Sequence, residues 1–219
     1  MKRTLVLALS FFAFFTNLPL GFSDDAEQVV DKDGDPLEPS RQYYIFPSFF
    51  GPAGGGVKYA RTANSECPLT VFQEYSQFYR GNPVKFTVAG DTDTSDIFTG
   101  TEVEIEFVDK PRCAESSKWL VFLDVTINKA CVGIGGAEDH PGQEIFDGKF
   151  HIKKYGIGYK LVFCRTESAQ ACLNIERFDA YNGEEGRRLT LTEEEYGASD
   201  IVFIRAYDDD DDKVIKSVV

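Results

Sequence analysis

Beyond its first two dozen residues the chain shows no sustained 3.6-residue apolar periodicity, which argues against a helical body. What recurs is a series of short alternating runs bounded by Gly, Pro, Asp or Asn: residues 43–46, 57–60, 69–74, 84–88, 102–108, 119–125, 149–154, 160–164, 188–192 and 202–207. The clearest is 102–108, where Val103, Ile105 and Phe107 alternate with Glu102, Glu104 and Glu106 as in a strand with one buried face. Ten or more short strands with turn residues between them indicate an all-β sandwich or barrel. Gly54, Gly55 and Gly56 read as a turn; a phosphate cradle would need a helix to follow, and 57–60 reads as strand. Three weakly similar groups, 43–47, 159–164 and 201–207, recur along the chain.

Between two of these strands, residues 82–98 read NPVKFTVAGDTDTSDIF. The acidic and small residues of 89–96 favour turns and solvent over a sheet ladder, so this segment is expected to project as an exposed loop. A rigid β-body presenting one long polar loop suits recognition of a partner.

Residues 1–23 have the form of a secretion signal: Lys2 and Arg3, then an apolar run too short to span a bilayer, then small residues at Gly21 and Ser23. A single domain over 24–207 and an acidic tail over 208–219 follow, in a secreted or vacuolar protein. The Asp208 to Asp212 run reads as a solvated tail, with weak calcium binding as the lesser alternative. A net charge of −13 leaves no basic stripe for nucleic acid, and no later segment is apolar enough for a membrane span. Only His140 and His151 remain as neutral-pH bases, and no serine sits in a Gly-x-Ser-x-Gly turn, so the chain does not read as an enzyme. Nor do the histidines have metal-ligand spacing, and no cofactor is expected.

Five cysteines follow the signal. Four can pair in three ways; spacing favours Cys164 with Cys172, and Cys67 with Cys113 would then enclose the whole of 82–98. Cys131 would be left over beside Val132 and Ile134, as a buried free thiol or, alternatively, an intermolecular bridge.

The letters also resemble a family. Val29-x-Asp31-x-Asp33-Gly34-Asp35-x-Leu37, then Tyr43-x-Ile45, is similar to the N-terminal signature of plant Kunitz inhibitors of the soybean trypsin inhibitor type. Agreement continues through Cys67-Pro68-Leu69-Thr70-Val71, Trp119, Tyr159-Lys160-Leu161-Val162-Phe163-Cys164 and Arg187-Arg188-Leu189, covering nearly all of the mature chain. Residues 104–108 and 113–119 look most like the seed inhibitors of caesalpinioid legumes. The resemblance implies a β-trefoil of twelve short strands with pseudo-threefold symmetry. It also implies bridges Cys67–Cys113 and Cys164–Cys172, and a monomer that inhibits trypsin-like or chymotrypsin-like serine proteases through one exposed loop.

Such loops mimic substrate. A segment already held in the extended shape a protease binds loses little entropy on docking, so an ordinary interface can bind tightly. The resemblance assigns the reactive loop to Val88, Ala89, Gly90, Asp91, Thr92 and Asp93, with the specificity position near Gly90 where typical members carry a basic residue. Gly90 and Asp91 do not suit the acidic pocket of trypsin. Lys85 with Phe86 is the alternative scissile pair, although Val84, Phe86 and Val88 alternate as a strand would, which makes Lys85 an outward-facing strand residue. Pro39 stands where the family places an Asn that hydrogen-bonds the loop from within, and Pro has no such donor. A storage or binding protein of miraculin type, keeping the scaffold without the loop's activity, is the competing reading.

Overall fold

The computed structural model describes residues 26–39, 41–49, 51, 53–62, 65–88, 96–166, 172–180 and 183–206. The predicted signal and the acidic tail lie outside them. Thirteen strands follow one another among the described residues, with two single-turn helical segments. Four make a first repeat: β1 (Tyr43–Pro47), β2 (Val57–Ala60), β3 (Thr70–Gln73) and β4 (Val84–Val88). The second holds β5 (Glu102–Phe107), β6 (Trp119–Asp124), β7 (Lys129–Ile134), β8 (Ile145–Phe146) and β9 (Gly148–Tyr155). The third holds β10 (Gly158–Arg165), β11 (Cys172–Phe178), β12 (Arg187–Thr192) and β13 (Ile201–Arg205).

The first and last strands of each repeat close a ring. β1 pairs with β4, β4 with β5, β5 with β9, β9 with β10, β10 with β13 and β13 with β1, all antiparallel. The inner strands form three hairpins, β2–β3, β6–β7 and β11–β12. Their second members meet one another, β3 with β7, β3 with β12 and β7 with β12, which shuts one end of the ring. A six-stranded barrel capped by three hairpins in three repeats is a β-trefoil. The thirteenth strand is an addition to the expected twelve: Ile145–Phe146 pairs with β6 just before the chain enters β9. The three similar sequence groups also prove not to be equivalent, because β1 and β10 open repeats one and three whereas β13 closes repeat three.

The alternation in sequence is what builds the barrel. Val103, Ile105 and Phe107 are at most 1% exposed while Glu102, Glu104 and Glu106 face outward. Opposite them Val84 and Phe86 are fully buried, and Tyr43, Ile45, Ile152, Leu161 and Phe203 complete the interior. Phe86 meets Phe203 edge to face, ring centroids 5.4 Å apart, a favoured aromatic geometry. Glycine is required where the β1–β2 connection crosses that from β3 to β4: Gly56 donates to the Tyr79 carbonyl at 2.9 Å, and a side chain there would run into the Arg80 backbone.

Disulfides join Cys67 to Cys113, 46 residues apart in sequence, and Cys164 to Cys172 across the β10–β11 pair. Cys131 is a free thiol with no exposed surface, and burial pushes its pKa up to about 12. It lies in β7 opposite Thr190, close to Arg188. There the 2% exposed Arg188 guanidinium spans Asp124 and Glu184, donating through Nε to Glu184 at 2.8 Å.

Candidate functional site

The end of the barrel opposite the hairpins is where β4 runs out at Val88 and the chain returns at Asp96. Val88 is half-buried and sits across from Val103, so the outgoing leg remains paired to its last residue. Ala89, Gly90, Asp91, Thr92 and Asp93 lie outside the described residues, as do Thr94 and Ser95.

The return leg is anchored from its start. Ile97 is fully buried, in the core cluster with Val29 and Leu37. Its carbonyl accepts from the Val29 N–H at 2.8 Å and its own N–H donates to the Leu37 carbonyl at 3.1 Å. Leu37 in turn donates to the Val29 carbonyl at 2.9 Å, so three backbones close a small triangle. Farther along, Thr99 N–H donates to Glu27 at 2.8 Å, and Glu27 N–H donates to the Thr99 hydroxyl at 3.0 Å. Gly100 N–H reaches the Ile152 carbonyl at 2.9 Å, while His151 Nδ1–H donates to the Gly100 carbonyl at 2.9 Å. His151 is therefore a tether for this leg on the side of β9.

The N-terminal signature makes the anchor. Asp31, 6% exposed, accepts at one oxygen from the N–H groups of Asp33 (2.9 Å) and Asp35 (3.0 Å), and Gly34 takes a positive φ of 89°. That local turn, of the kind Asp side chains nucleate, folds the strap back so that Val29 and Leu37 face the barrel together. The strap is fastened to the ring as well. Val30 N–H donates to the Tyr159 hydroxyl at 3.0 Å, Lys32 N–H to the Phe203 carbonyl at 2.8 Å, and Glu38 N–H to the Tyr43 hydroxyl at 3.0 Å. Burial raises the Tyr43 phenol above its ordinary pKa, keeping it neutral in this role.

Pro39 occupies the half-buried turn between strap and β1 and brings no donor side chain. Lys85 lies mid-strand in β4, opposite Glu106, with its side chain on the outer face. Its neighbour Phe86 is fully buried, so a protease could take Lys85-Phe86 as a scissile pair only by stripping β4 from the sheet and emptying part of the core. Ile97, Thr99, Glu27 and the strap were not visible as site residues in sequence. The available signal was Ile97 itself, a lone aliphatic after an acidic, polar run. His140 belongs to the packing, its Nε2–H donating to the Ile134 carbonyl at 3.0 Å and its ring stacked near Phe122. Among the described residues no group of three or more His, Cys, Asp or Glu could hold a metal ion.

Residues 29–205 match the Kunitz-legume family, whose description is trypsin and protease inhibitor. The Kunitz-type trypsin inhibitor-like 1 protein of Pisum sativum is 50% identical over 224 residues, covering 100% of each chain. The subtilisin inhibitor CLSI-II of Canavalia lineata is 51% identical over 172 residues, 77% of this chain and 88% of that one. Among solved structures, a Kunitz type trypsin inhibitor from Cicer arietinum superposes with a TM-score of 0.77 at 52% identity, covering 83% of this chain and 99% of that one.

Proposed function

The chain belongs to the Kunitz-legume family of trypsin and protease inhibitors, and from that premise we propose that it inhibits a serine protease through residues 88–96, offered as a substrate mimic. One observation carries this reading: the described residues on both sides of 89–95 are tied to the barrel, Val88 by β5 and Ile97 by the buried strap. A segment with both ends fixed loses little freedom on docking. If it is cut, the new termini stay in place and the bond can re-form before the protease releases them.

Gly90 and Asp91 at the expected specificity position offer no cation to an acidic pocket. The target in this reading is a serine protease whose specificity pocket does not require a cation, in keeping with the named subtilisin inhibition of the Canavalia relative. The protein works outside the cytosol as a monomer, secreted or vacuolar, after removal of residues 1–23.

Titrating the mature chain against subtilisin, chymotrypsin and trypsin tests this. Stoichiometric loss of subtilisin activity is expected, with trypsin affected far less. A variant in which Gly and Ser replace residues 89–95 should lose inhibition while keeping its melting temperature. Equal inhibition by that variant would overturn the assignment of the loop.

A further inference from the structure

Arg205 is the last residue of β13, and its partly buried side chain turns to the strap. Each of its three guanidinium nitrogens faces a different carboxylate: Nε lies 3.7 Å from Asp31, Nη1 3.7 Å from Asp35 and Nη2 3.9 Å from Glu38. These are ion-pair distances beyond hydrogen-bond length, so the hold is one of charge rather than of directed bonds. Asp31 divides its two oxygens: Oδ1 takes the N–H groups of Asp33 and Asp35 and shapes the turn, while Oδ2 faces Arg205. The Asp31 side chain is 2% exposed, so solvent ions screen that attraction little. Asp35 and Glu38 are wetter, and Glu38 is shared with Arg41 at 3.0 Å; Lys32 pairs with Asp33.

The three carboxylates bracket the strap. Asp31 and Asp35 stand at the two feet of its turn and Glu38 follows Leu37, so one cation draws the two legs that carry Val29 and Leu37 towards β13. Arg205 also bears on the Tyr43 hydroxyl, the acceptor of the Glu38 N–H. Val29 and Leu37 are the backbones that bind Ile97, where the chain returns from 89–95. Pro39, directly after Glu38, adds no side-chain donor.

We propose that Arg205 is a positioning residue for inhibition, acting through Asp31, Asp35 and Glu38 on the strap and through the strap on Ile97. The proposal rests on the inhibitory reading above. Without this cation the return leg loosens, and a cut chain drifts apart before its bond re-forms.

Asp35→Asn combined with Glu38→Gln removes two of the three charges and leaves the buried Asp31 paired, so this double variant should melt close to the wild type. Amide exchange at Val29, Leu37 and Ile97 should nevertheless quicken by about five-fold, with exchange in β3 and β7 unchanged. Subtilisin should cut within 89–95 faster by a similar factor, and the inhibition constant should rise. Arg205→Lys, which keeps the charge, should inhibit better than Arg205→Met. Unchanged exchange at the three amides, a uniform rise across the barrel, or equal inhibition by the Lys and Met variants would overturn the proposal. A wild type that does not inhibit overturns the inhibitory reading instead, and the exchange rates then still decide whether Arg205 holds the return leg.

Discussion

The two ends of this barrel are closed by different means. At the hairpin end β3, β7 and β12 meet around charged groups sealed from water, with Arg188 between Asp124 and Glu184 and the Cys131 thiol beside them. At the other end closure falls to a strap of the N-terminal chain, held by backbone hydrogen bonds and by Val29, Leu37 and Ile97. The contrast separates stability from recognition: the hairpin end holds the fold together, while the strap end holds the legs of a loop. Changes at the first should therefore alter how much protein is folded without altering how the folded protein inhibits. Changes at the second should alter inhibition by more than they alter stability.

The largest effect is expected from Arg188→Met. It leaves Asp124 and Glu184 buried without their cation, which costs about 3 to 5 kcal/mol for a broken buried pair. Urea unfolding should show that loss, and the inhibition constant of the still-folded fraction should match the wild type. A change in that constant would break the division between the ends.

Removing the long bridge by Cys67→Ser with Cys113→Ser should cost about 4 kcal/mol on chain-entropy grounds, because it frees a 46-residue loop. Removing Cys164–Cys172, which spans 8 residues, should cost only about 2.5 kcal/mol. Denaturation midpoints of the two double variants check this order. Equal losses would mean that the unfolded chain is already compact between Cys67 and Cys113.

Ile97→Val sharpens the comparison at the strap. Trimming one buried methylene should cost about 0.5 to 1.5 kcal/mol in stability. Inhibition should weaken as well, and the loop should be hydrolysed faster, since its return leg is less firmly held. Equal inhibition by the variant would show that the strap serves the fold alone.

The last effect concerns Cys131 and appears only at alkaline pH. Burial lifts this thiol from 9.0 to about 12 in the folded protein. Below pH 9 it is protonated in both states and stability is undiminished. As pH rises through 9 the unfolded chain loses the proton and the folded one does not, so stability falls by up to about 1.4 kcal/mol per pH unit until 12. Comparing wild type with Cys131→Ala between pH 8 and 10 isolates that slope. The thiol should also resist alkylation until the protein unfolds.

The strands with one wet face were legible in sequence, β2 and β4 to the residue and β5 within one, because alternation is written directly into their letters. β7 and β11 were not. Gly133 interrupts the first, and the second carries Asn174, a polar residue buried at 6% exposure. The ring and its three repeats rest on pairings between strands distant in sequence, which spacing cannot supply, so the trefoil was reached through resemblance rather than periodicity. The strap was legible as a motif but not as a device. Asp31 and Gly34 announce a turn, yet only the packed structure shows that the turn delivers Val29 and Leu37 to Ile97.

A loop that inhibits as a substrate mimic must survive the protease it blocks, so its fate under digestion distinguishes an inhibitor from a substrate. The mature protein is incubated with a catalytic amount of subtilisin while residual activity and cleavage products are followed together. Activity should fall in proportion to the protein added, and residues 86–98 should stay intact or reach a stable mixture of cut and uncut chain. Rapid, complete cleavage within 89–95 with subtilisin activity undiminished would contradict it.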